Sequence, residues 1–275
     1  MNPARKPLTL VLLFAILACS ACQKSAQAGS RIGTFFVIFG GPSLTPKRLS
    51  SHVAYNLDPT KERYLVHVPT GYSGKDSYGL IVFIDASDEL NSLPAGWEAA
   101  LDVRKYIFVA AQNSGNDQAR GRRLGLAVLG ALEVAKQYRI DPNRVFVAGF
   151  SGGARMAGML GFYQSDLFRG TIQNCGADFY RSVPIALATS QVDTVGKPYG
   201  LLEASQEDVV AAKQVRFALV TGSGDFRRGN ILDIFHGGFK RDGFQAELFD
   251  VPGMGHDICR GETLIRILDF LEDRP

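Results

Sequence analysis

The stretch "VAGFSGGAR", residues 147–155, sets a serine between two glycines directly after the apolar run Val145-Phe146-Val147-Ala148. Two readings compete: an ordinary turn of small residues, or a sharp strand-to-helix bend that lifts Ser151 out of a sheet. In a chain with 30 glycines the pattern G-x-S-x-G alone is cheap, so its surroundings decide. A run suited to a buried strand precedes it, and residues 153–164 suit a helix. Such a bend strains the serine backbone, and glycines at 149 and 153 let strand and helix approach closely. Ser151 then lies at a helix N-terminus. There the Gly152 N–H is unpaired and the local positive potential favours a developing oxyanion.

Working outward, strands and helices alternate. "LIVFIDA" (80–86), "YIFVAAQ" (106–112), "DPNRVFVAGF" (141–150), "GTIQNCGA" (170–177), "RFALVTG" (216–222) and "QAELFDVP" (245–252) read as strands. Continuous apolar runs such as the first two fit strands buried on both faces. Helices fit 121–138, where Leu124, Val128, Leu132 and Ala135 recur at helical spacing, and 262–272. "HVAYNL" (52–57) and "RYLVHVP" (63–69) read as a pair of antiparallel opening strands, and "GTFFVIFGGP" (33–42) as a strand or a flap. The class is α/β: a mainly parallel sheet with helices on both faces. Residues 179–208 lack clear periodicity and suit a lid over a pocket.

A serine hydroxyl needs a base, and the base an orienting acid. His256 in "VPGMGHDI" lies on a glycine-rich loop after the last strand, where it reaches the carboxyl edge of the sheet. His67 and His52 fall in the opening strands and read as packing or surface residues; His236 falls on a helix away from that edge. Asp225, in "TGSGDF", follows the strand beside the histidine loop and suits the orienting carboxylate. Asp178 and Asp193 are the rival acids. The clustered Arg120, Arg122 and Arg123, with Arg155, Arg227 and Arg228, read as solvated charges rather than a substrate-carboxylate site. Trp97 fits a pocket wall or a packing position equally.

The N-terminus differs from the rest. Arg5 and Lys6 precede an apolar run, Leu8 to Ala18, too short to span a bilayer but right for a signal-peptide core. Ile16-Leu17-Ala18-Cys19 resembles the bacterial lipobox, which makes Cys19 the lipidated residue after cleavage; Cys22 is the weaker candidate. The competing reading is plain secretion with cleavage near Ala21 or Ala28. The division expected is a leader at 1–18, a tether at 19–31 and one catalytic domain at 32–275. The product would sit in the cell envelope, held to a membrane by its lipid (the outer membrane where there is one), or be secreted. The leader removes two of 30 basic residues and none of 27 acidic ones, so the remainder is nearly neutral and no nucleic-acid partner is expected. No His-rich or C-x-x-C cluster in the body points to a metal, and no cofactor is expected. Cys175 and Cys259 are the two cysteines of that body.

"RVFVAGFSGGARMAGMLGFYQSDLFRGTIQNCGA", "ALVTGSGDF" and "VPGMGHD" together resemble an α/β-hydrolase esterase, near the polyhydroxybutyrate depolymerase and feruloyl esterase branch. The resemblance covers about residues 62–272. It implies cleavage of small-molecule or polymer carboxylic esters through an acyl-enzyme, with Ser151, Asp225 and His256 as the triad and Gly152 as one oxyanion-hole donor. The alternatives are a peptidase of the same fold and a catalytically silent surface binding lipoprotein. In one place the chain departs from the family: where a His-Gly pair is usual, "VFIDASDE" carries Asp85-Ala86. The second oxyanion donor then falls to the backbone N–H of Ser87 or Ala86. The same fold places Cys175 and Cys259 near the carboxyl edge, where a disulfide is possible.

Overall fold

The computed structural model describes residues 31–40, 51–54, 56–184, 186–187 and 201–273. The expected leader 1–18, Cys19, Cys22, the expected tether apart from Arg31, and Asp193 lie outside them, as does part of the segment 179–208.

Eight strands form one sheet. They are β1 (Gly33–Ile38), β2 (Arg63–Val68), β3 (Tyr78–Ile84), β4 (Tyr106–Ala111), β5 (Ile140–Phe150), β6 (Gly170–Asn174), β7 (Arg216–Gly222) and β8 (Gln245–Val251), in spatial order β1-β2-β4-β3-β5-β6-β7-β8. β1 pairs antiparallel with β2, and β2 antiparallel with β4; every pairing from β4 through β3 to β8 is parallel. Parallel neighbours need crossover connections, and five helices supply them: α1 (Trp97–Arg104), α2 (Arg120–Gln137), α3 (Gly152–Tyr163), α4 (Gln206–Ala212) and α5 (Arg228–Ile234); α6 (Gly261–Leu271) follows β8. A π-helical segment, Phe235–Lys240, extends α5 and carries His236.

The strand side chains alternate between two cores. Leu80, Val82 and Ile84 of β3 pack with Leu124, Val128 and Leu160 on one face; Ile81 and Phe83 pack with Trp97, Leu264 and Leu268 on the other. Burial on both faces is why β3 and β4 read as unbroken apolar runs.

One expected strand does not form. Residues 52–54 and 56–57 are irregular, and the antiparallel partners of β2 are β1 and β4. The apolar residues of this segment pack on α2 instead: Ala54 N–H donates to Gly121 O at 2.9 Å, Val53 is buried, and a β-carbon at Gly125 would overlap Ala54 O. No helix among the described residues is long and apolar enough to cross a membrane.

Candidate active site

Register brings four strand ends into line. Phe150 pairs with Asn174, Asn174 with Val220, and Gly222 with Val251. The residues just past these ends, Ser151, Cys175, Asp225 and His256, therefore gather at the carboxyl edge of the sheet, where parallel α/β sheets place their sites.

Ser151 occupies the bend between β5 and α3 with φ 53° and ψ −115°, a conformation costing about 1–3 kcal/mol for a residue with a side chain. The surroundings leave it no alternative. A β-carbon at Gly149 would overlap the Gly153 carbonyl group and stand 2.7 Å from Ala154 N; one at Gly153 would overlap Ile84 O. The elbow is also bonded from the side, by Ser151 N–H to Asn174 O at 2.8 Å.

His256 lies between serine and acid. Its Nδ1 is 2.8 Å from Asp225 Oδ1, and its Nε2 is 3.0 Å from Ser151 Oγ. An ionised carboxylate only accepts, so Nδ1 carries the proton and Nε2 is left to accept from the serine hydroxyl. Burial opposes ionisation of Asp225. It is outweighed by donors from Arg227 N–H, the His256 ring, the Thr221 hydroxyl and the Cys175 thiol, which hold the carboxyl below its ordinary range. The Arg227 N–H and Thr221 Oγ1 contacts measure 2.9 and 2.8 Å. Phe226, largely exposed, lays its ring 4.3 Å from the His256 ring, and Phe150 approaches the same ring at 5.2 Å.

The rival acid Asp178 is buried and paired with Arg155 Nε at 2.8 Å. His67 is buried between Thr34 Oγ1 and Asp102 Oδ1, at 2.9 and 3.1 Å; His52 stacks on Tyr163. The arginines are not simply solvated. Arg122 forms a bidentate pair with Glu62, Arg228 pairs with Asp250, and Arg123 is buried, which pushes its guanidinium down to about 10. Trp97 proves a packing residue: it is fully buried and its indole donates to Cys259 O at 2.7 Å.

Cys175 and Cys259 are free thiols, contrary to a disulfide tie. Cys175 Sγ is directed at the carbonyls of Gly255 and Asp257, at 3.7 and 3.2 Å, and so bonds the histidine loop without a covalent link. Burial pushes Cys259 up to about 12 and Cys175 higher still. Among the described residues, one group of potential metal ligands, Cys175, Asp225 and His256, has donor atoms within 4.8 Å of one another; all three are engaged in the hydrogen bonds above.

The turn after β3 differs most from expectation. Asp85 Oδ1 accepts the N–H of Ala86 at 2.6 Å and lies 3.3 Å from that of Ser87, so both expected donors face a carboxylate. Burial pushes the Asp85 carboxyl up, against the pull of those N–H groups and the Arg123 charge.

Asn174 and Asn116 were not singled out by the sequence. The Asn174 amide, fully buried, donates to Gly149 O at 3.1 Å and accepts from Cys259 N–H at 3.1 Å, joining elbow to histidine loop. Asn116 lies against Gly152. Both lack any local pattern; sheet register and loop packing place them.

No family model matches the chain. A poly(3-hydroxybutyrate) depolymerase of Ralstonia pickettii is 29% identical over 107 residues, covering 34% of this chain and 22% of that protein. A poly(3-hydroxyalkanoate) depolymerase C of Paucimonas lemoignei is 25% identical over 178 residues, 57% of this chain and 42% of that protein. The chain thus spans less than half the length of either curated relative. Among solved structures, a ferulic acid esterase superposes with TM-score 0.56 at 17% identity, covering 88% of this chain and 98% of that one. A poly(3-hydroxybutyrate) depolymerase from Bordetella parapertussis gives TM-score 0.53 at 15% identity, covering 77% and 84%. Sheet order, strained serine elbow and these likenesses agree: the chain has the α/β-hydrolase fold.

Proposed function

We propose that this chain is a serine esterase that cleaves carboxylic esters through an acyl-enzyme. The observation that carries the reading is the unbroken hydrogen-bonded line from Ser151 through His256 to Asp225. Ser151 Oγ attacks the ester carbonyl while its proton passes to His256 Nε2. Asp225 keeps the ring in the right tautomer and stabilises the imidazolium. The oxyanion forms beside the N-terminus of α3, where the Gly152 N–H points. Collapse expels the alcohol, which takes the proton back from His256; water then repeats the sequence on the acyl-serine and releases the acid. The depolymerase names of both curated relatives favour polymeric hydroxyalkanoate esters as substrates.

The deciding experiment sets purified protein against short acyl esters, an oligomeric hydroxybutyrate and aminoacyl amides, beside Ser151→Ala. The esterase reading expects ester turnover and fluorophosphonate labelling at Ser151, both absent in the variant. Turnover of the amides alone would make it a peptidase. Folded protein that neither labels nor hydrolyses would be a binding protein.

The lipobox-like Ile16-Leu17-Ala18-Cys19 supports a second element of the proposal, export and lipid anchoring at Cys19. Incorporation of labelled palmitate, abolished in Cys19→Ser, tests it; labelling that persists transfers the site to Cys22.

A further inference from the structure

The two main-chain donors expected to complete the oxyanion hole, Ala86 N–H and Ser87 N–H, are faced by the Asp85 carboxylate. An anion already there competes with a developing oxyanion instead of helping it. This arrangement is fixed from beneath. Buried Arg123 donates through Nη2 to Asp85 O at 2.9 Å and through Nε to Ser114 O at 2.7 Å, clamping the turn after β3 to the loop after β4.

That second loop runs on to Asn116. Its backbone is pinned to the same turn: Asn116 N–H donates to Ala86 O at 2.8 Å, Asn113 N–H to Asp88 O at 2.7 Å, and Gly115 N–H to Asp88 Oδ1 at 2.8 Å. The result sets the Asn116 amide against Gly152. A β-carbon on Gly152 would overlap Asn116 Oδ1, with Cγ at 2.8 Å and Nδ2 at 3.2 Å. The side chain is exposed, and its amide has no hydrogen-bond partner among the described residues. A half-turn about χ2 exchanges Oδ1 and Nδ2 with no movement of the backbone.

We propose that the Asn116 side-chain amide is the second oxyanion donor, its Nδ2–H joining the Gly152 N–H in place of the main-chain pair that Asp85 engages. The inference rests on the esterase reading. As the Ser151 Oγ–carbon bond forms, the carbonyl π pair moves onto oxygen and the serine proton goes to His256. Asn116 donates a hydrogen bond to that oxygen and gives up no proton. When the intermediate collapses, the pair returns and the contact weakens.

The test is Asn116→Ala, assayed on p-nitrophenyl acetate with Asn116→Ala/Asp85→Ala beside it. Loss of one oxyanion donor lowers kcat about 10²–10³-fold with KM little changed. The double variant is expected to recover at least about tenfold of that loss, because the Ala86 and Ser87 N–H groups are then freed. Since Asn116 is exposed, the single variant should melt with the wild type, and circular dichroism checks this. Wild-type kcat in Asn116→Ala, with the fold intact, overturns the assignment and leaves the esterase standing. Wild-type protein that hydrolyses no ester and takes no fluorophosphonate overturns both.

Discussion

Asn174 Oδ1 accepts the backbone N–H of Cys259 at 3.1 Å while its Nδ2 donates to Gly149 O, so one buried amide joins the serine elbow to the segment that follows His256. Asn174→Leu leaves the buried Cys259 N–H without its acceptor, at about 1–3 kcal/mol, and takes the side-chain donor from Gly149 O. Urea unfolding should show a loss of about 1–3 kcal/mol. Turnover should also drop at denaturant-free conditions where circular dichroism finds the variant folded. Unchanged stability would mean that water satisfies both groups.

Asp225 and Asp178 are both buried, yet only Asp225 touches the imidazole. Asp225→Asn should lower kcat about 10⁴-fold by favouring the wrong tautomer, whereas Asp178→Asn should act mainly on stability through Arg155. The Asp225 carboxyl is held below its ordinary value, so its contribution to stability is present above the unfolded-state value of about 3.9. That contribution is lost as pH falls through the lower folded-state value. The stability gap between wild type and Asp225→Asn should therefore narrow in acid, read from melts between pH 7 and pH 2.

At the elbow, Gly153→Ala pushes a methyl into the Ile84 carbonyl, a backbone atom that cannot rotate away. Overpacking of this kind costs about 1–3 kcal/mol or more. Fluorophosphonate labelling of Ser151 should fall with it, since the displaced element carries the nucleophile. A labelling rate equal to wild type would show that the sheet yields without moving Ser151.

Phe226 offers an exposed ring against His256, positioned to meet the apolar part of an ester. Phe226→Ala should raise KM for long acyl esters about tenfold, the equivalent of one lost aromatic contact, and leave acetate esters nearly unaffected. Comparing p-nitrophenyl acetate with the octanoate reads this directly.

Both body cysteines should map as free thiols under non-reducing conditions and alkylate slowly, because burial keeps each protonated well above neutral pH. Mass mapping after brief iodoacetamide treatment checks both points.

The parallel strands were legible because burial on two faces leaves uninterrupted apolar runs, and the elbow because its glycines answer a steric demand that needs no distant information. His52–Leu57 misled because an apolar residue at every other position marks a strand only when a partner's backbone is at hand. Here β1 takes that place, and Ala54 bonds to Gly121. The helix α1 has no such signature: at 8 residues it is too short for a clear helical period, although Trp97, Ala100 and Leu101 are its buried face. Asn116, Asn174 and the inward turn of Asp85 have no sequence signature. They arise where loops from different strands meet, and only the folded register brings those loops together.

Trp97 is the sole tryptophan of the chain, and its ring nitrogen is hydrogen-bonded to Cys259 O, three residues beyond His256. The molecule therefore carries an internal optical reporter. Every photon of indole emission comes from one dry site, bounded by Phe83 and Phe108 and touching the segment that bears the imidazole. If that segment lifts away, the indole loses its acceptor and meets water, and its emission shifts to the red. Undocking of the segment can then be timed by stopped-flow fluorescence on the unmodified protein, with no label attached.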